Sequence, residues 1–500
     1  MLKILSTPQI KELDNYTIAN EPIASIDLME RACRAFTSWF TEHFDETHRT
    51  GVVCGTGNNG GDGLGIARML SELGYVVTVW IIYGGARESE DFLMNRKRLP
   101  PNISVVQINS QPHEGLFSNC DVLIDAIFGS GLSRPVDGLY AAVIRIMNQT
   151  NAVRVAVDIP SGLLPDGPST GEVVQAHHTV TFQLPKLAFL LPENFQFTGK
   201  WHVVDIGLSK KFINQAECRH FLLTRAGIKK LVLHRSKFDH KGRFGHALLV
   251  AGSTGKMGAA VLAATGVLRS GSGLLTVHVP KSGYAVIQTA VPEAMASVDP
   301  SDDVFTQAPP LDSFNVIGIG PGLGTDGHTV NAFESLLSEV SVPMVIDADA
   351  LNILATHRHL MNLIPKGSIL TPHPGEFRRL AGNYRNDFER LDRQLEMAAR
   401  AQAVVMVKGA HTAIALPDGT LWFNNTGNPG MAKGGSGDAL TGILTGLMAR
   451  GYPAADAARL GCWIHGLAGD VAVHEKGCES LITRDLLEKL PDAFRQVGAF

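Results

Sequence analysis

Five hundred residues are more than one hydrophobic core organises, so two or three domains are expected. With 45% hydrophobic and 18% charged residues the chain can build large cores, which excludes a disordered protein. A net charge of −4 gives no general attraction to nucleic acid or to an anionic membrane, and neither is expected as a partner.

Near the start, Thr7-Pro8 reads as an N-cap followed by proline at the first helical position, a helix start and not a signal peptide. No apolar run approaches the roughly 18 residues of a membrane span. The six cysteines form no C-x-x-C pair, which suits a reducing compartment, and a cytoplasmic location is expected. Short apolar runs then alternate with helical patterns. Strands are expected at 51–54, 76–83, 104–108, 122–128, 154–159 and 178–183, and such a pattern indicates a parallel sheet covered on both faces. Between about Lys210 and His240 the chain turns polar and basic, and a domain boundary belongs there. From Arg225 to Arg243 seven Lys/Arg face one acidic residue, Asp239, either as a solvated linker face or as a phosphate-attracting rim. A second alternation follows, with strands at 247–251, 274–279, 316–319, 344–347, 368–371, 404–407 and 420–423. Helices are expected at 387–401, 438–449 and 454–473, and Thr483 reads as the N-cap of a last one. This is two α/β domains in tandem.

The first candidate site is the turn Gly51-Val-Val-Cys-Gly-Thr-Gly-Asn-Asn-Gly-Gly-Asp-Gly63 leading into a helix at 64–70, where free N–H groups would meet an anion. Gly55-x-Gly57-x-x-Gly60 matches a dinucleotide fingerprint, but the next strand ends Ile82-Tyr83-Gly84-Gly85 with no carboxylate for a ribose. Nor does Gly-Lys-Ser/Thr follow, so this is not a Walker loop. A hydride-transferring domain is disfavoured, and a phosphate-bearing ligand still fits. Further strand ends carry Asp125, the run Gly129-Ser-Gly-Leu-Ser-Arg-Pro135, Asp158 and Ser161, each also readable as a turn or cap residue.

Asn58-Asn-Gly-Gly-Asp62 together with Val157-Asp-Ile-Pro-Ser-Gly162 resembles the epimerase half of the NAD(P)H-hydrate repair family. The resemblance implies that Asn58, Asn59, Gly60, Gly61, Asp62, Gly129, Ser130, Gly131, Leu132, Ser133, Arg134, Pro135 and Asp158 hold the hydrated dinucleotide. It also implies a potassium ion held by Asn59, Asp125 and Ser161, hard oxygen ligands for a hard cation. Asp158 would contact the substrate and act as acid or base.

The second candidate site is Asn425-Thr-Gly-Asn-Pro-Gly-Met-Ala-Lys-Gly-Gly-Ser-Gly-Asp438. Its glycines let the backbone approach a phosphate, and a helix beginning near Asp438 points N–H groups at it. Ser436 or Asp438 could instead cap that helix. The turn resembles the ribokinase-like superfamily. With Gly320-Pro-Gly-Leu-Gly324, Thr371-Pro-His-Pro-Gly-Glu376 and Lys408-Gly409 it is similar to the NAD(P)H-hydrate dehydratase domain.

The resemblance therefore implies a Rossmann-like epimerase domain over 1–215 and a ribokinase-like α/β dehydratase domain over 225–500. The first would interconvert the R and S hydrates, NADHX and NADPHX. The second would use ADP, with Mg²⁺, to phosphorylate the C6 hydroxyl of the S form and eliminate phosphate. Its catalytic residue would be Asp438. Ala263, Gly322, His373 and Asp438 would contact the hydrate, and Lys408, Gly409, Ala410, His411, Thr412 and Gly437 the nucleotide. The resemblance also suggests a homo-oligomer. Two rivals are a small-molecule kinase releasing a stable phosphoester, and an N-terminal half reduced to a binding scaffold.

Overall fold

The computed structural model describes residues 1–85 and 87–498. It divides into two compact units: one holds 3–218 with 386–388, the other 1–2, 219–385 and the remainder from 389.

In the N-terminal unit seven strands form one sheet: β1 (Thr50–Cys54), β2 (Val77–Ile82), β3 (Ser104–Ile108), β4 (Val122–Ala126), β5 (Val153–Val157), β6 (His178–Phe182) and β7 (Lys200–Val204). Every pair is parallel, in the order β3-β2-β1-β4-β5-β6-β7. Alternate residues feed two cores. Val52, Val79, Ile81, Ile124 and Val155 pack with Phe36, Phe40 and Leu64 on one face. Val53, Trp80, Ile82 and Leu123 pack with Tyr140, Ile144 and Met147 on the other. Because both faces are covered, the strands read as continuous apolar runs. The chain reverses its direction of travel across the sheet between β1 and β4, and ligands of such sheets bind outside that point.

The helix after β1 runs from Asn58 to Glu72, six residues earlier than expected at its start. The glycines there serve close packing and not a loop: a Cβ on Gly60 would lie 1.9 Å from the carbonyl oxygen of Gly55, and one on Gly63 2.5 Å from the Ala126 methyl. The first helix is Thr7–Asn20, but Ser6 and not Thr7 is its N-cap, because Gln9 at the third helical position closes a capping box back onto Ser6.

In the C-terminal unit the strands are β8 (His220–Leu222), β9 (His246–Val250), β10 (Leu274–Val279), β11 (Met295–Val298), β12 (Val316–Ile319), β13 (Met344–Ile346), β14 (Ile369–Leu370), β15 (Val404–Val407), β16 (Ala413–Ala415) and β17 (Leu421–Phe423). They lie in the order β8-β17-β16-β15-β14-β13-β12-β9-β10-β11. Pairing is parallel from β11 to β15 and antiparallel on both sides of β16. The switch point here is between β9 and β12, which places 251–256 beside the Gly320–Gly324 loop. The last helix is Thr483–Gln496, preceded by Ile482, so Thr483 is its first residue and not its cap; its hydroxyl is bonded to the carbonyl of Gly434 instead. Among the described residues no helix is long and apolar enough to cross a membrane.

Candidate functional sites

At the C-terminal edge of the first sheet lies a cleft of about 660 Å³. Asn58, Asn59, Asp62, Gly129, Ser130, Gly131, Leu132, Ser133, Arg134 and Asp158 all line it. Gly60 and Gly61 are buried behind it, Gly60 against Gly55 and Gly61 against Met29 and Phe92, and Pro135 is not among the lining residues. β1 and β4 end side by side, and a Cβ on Gly55 would lie 2.3 Å from the carbonyl oxygen of Ile127.

Just behind the cleft, Asp125 is fully buried at the end of β4. Its carboxylate accepts from the Ser161 hydroxyl at 2.6 Å, the Ser161 N–H at 2.7 Å and the Ile127 N–H at 3.3 Å. Burial pushes its pKa up to about 6, against the pull of those donors. Ser161 in turn accepts from the Phe128 N–H at 2.8 Å. Asn59 sits against Gly129, and its Nδ2 is buried without a partner among the described residues. Carboxylate, hydroxyl, side-chain amide and the Phe128 carbonyl thus gather around one backbone segment. Among the described residues no group of three His, Cys, Asp or Glu could hold a metal ion, so any cation here meets a low-charge oxygen set.

Asp158 follows β5 with φ of +66°, held in this left-handed conformation by the bonds around it. Its Oδ1 accepts from Thr181 Oγ1 and Phe182 N, both at 3.1 Å, and is ion-paired with Lys186. Lys186 is only 1% exposed and also bonds Thr181 Oγ1 at 2.7 Å. Sequence reasoning missed this lysine, although a single cation inside the apolar run Leu184-Pro-Lys-Leu-Ala-Phe-Leu-Leu191 was a readable signal. It also missed Asp14, which lines the cleft from the first helix. Burial, then Asp158, raises Asp14 to about 6, with Lys186 opposing. Asp62 is raised well above the usual carboxylate range by burial, then by Asp158 and Asp14.

In the second unit the helix bearing the glycine turn spans Ser436–Ala449, and its N-cap is Gly435, left-handed at φ +91°. Neither Ser436 nor Asp438 caps it, so the Asp438 carboxyl stays available at the helix entrance. A Cβ added at Gly437 would lie 3.4 Å from Lys408 Nζ and 3.6 Å from Asp347 Oδ2. Lys408 leaves the end of β15 and bonds Asp347 Oδ1 at 2.7 Å, while the Thr441 hydroxyl donates to Asp347 Oδ2 at 2.7 Å. Asp347, 1% exposed at the end of β13, is thus the hub that joins Lys408 to the Asp438 helix, and sequence reasoning had left it inside a strand. Burial and then Asp347 push Asp438 up to about 6, with Lys408 opposing. His465 also went unread. Its Nε2 lies 3.0 Å from the Ser436 carbonyl, and burial pushes its pKa down to about 4, so a neutral ring holds the turn.

Other expected residues lie on the same edge. Gly409 and Ala410 are exposed beyond β15, Thr412 bonds back to the Gly409 carbonyl at 3.0 Å, and His411 faces the Asn424 carbonyl. Gly322 has φ of +63° and lies against Lys256 and Ala259, with its carbonyl held by the Ser253 hydroxyl at 2.7 Å. His373 is exposed at a helix N-terminus, its Nδ1 accepting from the Gly375 N–H at 3.0 Å while its own N–H bonds Glu376. Burial raises that glutamate, with Lys408 opposing. Ala263 stands apart from these. It is fully buried in the helix Met257–Arg269, its carbonyl 2.0 Å from where a Gly442 Cβ would be.

Residues 247–492 match the family described as NAD(P)H-hydrate dehydratase, and residues 25–188 match the YjeF-related protein N-terminus. The bifunctional NAD(P)H-hydrate repair enzyme of Moorella thermoacetica is 38% identical over 516 residues, covering 99% of this chain and 97% of that protein. The enzyme of the same description from Coxiella burnetii is 35% identical over 494 residues, covering 98% and 99%. A ribokinase-like superfamily protein from Enterococcus faecalis has 24% identity over 57% of this chain and 98% of its own, with a TM-score of 0.50, a likeness of fold. Both halves match, in the same order and over nearly the full length, so the chain belongs to the family of bifunctional NAD(P)H-hydrate repair enzymes.

Proposed function

We propose that residues 1–215 interconvert the R and S hydrates of NADH and NADPH, and that residues 225–500 return the S hydrate to NAD(P)H using ADP. The protein acts in the cytoplasm, as a homo-oligomer. The observation that carries the dehydratase half is the uncapped Asp438 at the mouth of a glycine turn, with Lys408 and Asp347 behind it.

Asp438 takes the proton of the C6 hydroxyl as that oxygen attacks the terminal phosphorus of ADP. The new P–O bond forms as the bond to AMP breaks. Gly437 N–H and the helix entrance hold the transferring phosphoryl group, with Lys408 close by. Phosphate then departs with the C6–O electron pair and C5 loses a proton, restoring the ring double bond. Gly409, Ala410, His411 and Thr412 border the nucleotide, and Gly322 and His373 the hydrate. Ala263 serves from behind, fixing how closely the Asp438 helix packs. Magnesium bound with the nucleotide would supply positive charge that offsets the phosphates.

In the epimerase half Asn59, Asp125 and Ser161 would hold potassium. What supports it is the buried Asp125 carboxylate, which has no basic partner among the described residues, with the Ser161 hydroxyl and the Phe128 carbonyl beside it. The ion would supply the missing positive charge behind the Gly129–Arg134 loop and fix that loop against the hydrate.

The test is recovery of NADH absorbance from mixed R and S NADHX with ADP, Mg²⁺ and K⁺. Near-complete recovery is expected. Recovery of the S fraction alone removes the epimerase assignment, and no recovery with either ADP or ATP removes the dehydratase one.

A further inference from the structure

Epimerisation at C6 needs one group to give a proton and one to take it, and three carboxylates line the cleft: Asp14, Asp62 and Asp158. Their surroundings separate them. Asp158 is committed through Oδ1 to Lys186, Thr181 and the Phe182 N–H, while those bonds leave Oδ2 clear. Asp62 is in the second turn of the helix Asn58–Glu72, with Cys33 against it. Asp14 makes no hydrogen bond or ion pair to any described residue, yet its place is rigid. Thr7, Ile10, Lys11 and Asp14 recur at i, i+3, i+4 and i+7, one face of the first helix, and all four line the cleft. The adjoining side of that helix is anchored by buried Leu13 and Thr17, and Thr17 Oγ1 accepts from the Ser209 N–H at 3.0 Å. The Asn59 amide, 8% exposed on the same cleft with its Nδ2 unpartnered, marks the space as shaped for a polar ligand.

We propose that Asp14 is a catalytic residue of the epimerase cleft, the proton donor that complements Asp158. The inference rests on the epimerase reading above. Asp14 protonates the departing C6 hydroxyl, and the C6–O bond breaks with its electron pair leaving on water. The lone pair of the ring nitrogen closes the N1–C6 double bond, and the cation so formed lies among carboxylates. A water molecule adds to the other face of C6, and the proton it sheds goes to Asp158 Oδ2. Exchange with solvent returns that proton to Asp14. Nothing is oxidised or reduced, and water is the only co-reactant.

The groups around Asp14 set the pH dependence. Burial and then Asp158 oppose its ionisation, Lys186 favours it, and Asp62, Lys11, Arg87 and Arg134 complete the charged lining. With burial, these hold Asp14 near 6, so the donor is lost and epimerisation slows as pH rises through about 6.

The experiment uses the full chain and chromatographic separation of R and S NADHX in saturating K⁺. Asp14→Asn is expected to lower kcat about 100-fold or more, to leave KM within about two-fold, and to abolish the pH limb. Asp14→Glu should restore part of the rate together with the limb. Denaturant unfolding that matches the parent's, with unchanged dehydration of pure S hydrate, reports that both units are folded. A near-normal kcat, a change in KM alone, or a lowered kcat with the pH limb intact would each overturn the assignment. If the unsubstituted chain fails to interconvert the hydrates, it is the epimerase reading that falls.

Discussion

The helix that carries Asp438 touches the helix Met257–Arg269 through backbone, and Gly442→Ala tests whether that approach positions the chemistry. The added Cβ would sit 2.0 Å from the Ala263 carbonyl oxygen, where ordinary contact begins at 3.4 Å. The two backbones must therefore separate by about 1.4 Å, an overpacking strain of about 1–3 kcal/mol. Replacing a helical glycine gives back about 1 kcal/mol in propensity, so net destabilisation is expected to be about 0–2 kcal/mol. Stability alone is thus a weak readout. Asp438 lies one turn before Gly442 and must move with it, and a displacement of about 1 Å at a reacting group lowers a rate by about 100-fold. The assay is dehydration of pure S-NADHX at saturating ADP, with epimerisation measured in parallel and expected to be unchanged. Dehydration within about three-fold of the parent, by a variant with an unaltered unfolding midpoint, would refute the reasoning.

Asp438→Asn should reduce dehydration by about 100-fold or more and spare epimerisation; loss of both would contradict two independent sites. In the parent, dehydration kcat/KM should rise as pH increases through about 6, where Asp438 gives up its proton, and Lys408→Met should move that limb upward because Lys408 favours the ionised form. Lys186→Met strands the Asp158 carboxylate, and breaking such a buried pair costs about 3–5 kcal/mol, read by denaturant unfolding; a midpoint equal to the parent's would show that the pair contributes nothing. Replacing K⁺ by a large organic cation should slow epimerisation without touching dehydration, and Ser161→Ala should raise the K⁺ concentration needed for half activation.

Much of the fold was legible because fully buried parallel strands announce themselves. β10, β12 and β15 were read to the residue, and so was β3, an exposed edge strand that its Val105-Val106 pair gave away. The strands that escaped lack that signature: β7 and β11 are partly exposed edge strands, and β8 and β16 are three residues each. Motif residues such as Asn59, Asp125, Ser161 and Asp438 could be found because glycine-rich turns single them out. Asp14, Lys186, Asp347 and His465 could not, since their significance is a matter of burial and partners. A lone Asp on an ordinary helix, or the aspartate ending β13, looks like any surface or cap residue until the cavity or the ion pair is seen. The glycines of 60–63 mislead in the opposite sense, suggesting a loop where they permit tight helix packing.

The first helix also bears on how the unit can be dissected. A fragment spanning 25–188, the stretch that carries the recognisable motifs, would keep Asn59, Asp125 and Ser161, the proposed potassium ligands, with Asp158 and Lys186. It would lose Thr7, Ile10, Lys11 and Asp14 from one wall of the cleft, and Ile206 and Leu208 from its lining. Such a fragment, even if folded, would be expected to hold the cation with a cleft open on one side and a proton donor missing. Potassium binding without turnover is therefore the behaviour to expect from it, and activity should be sought only in versions that retain the helix.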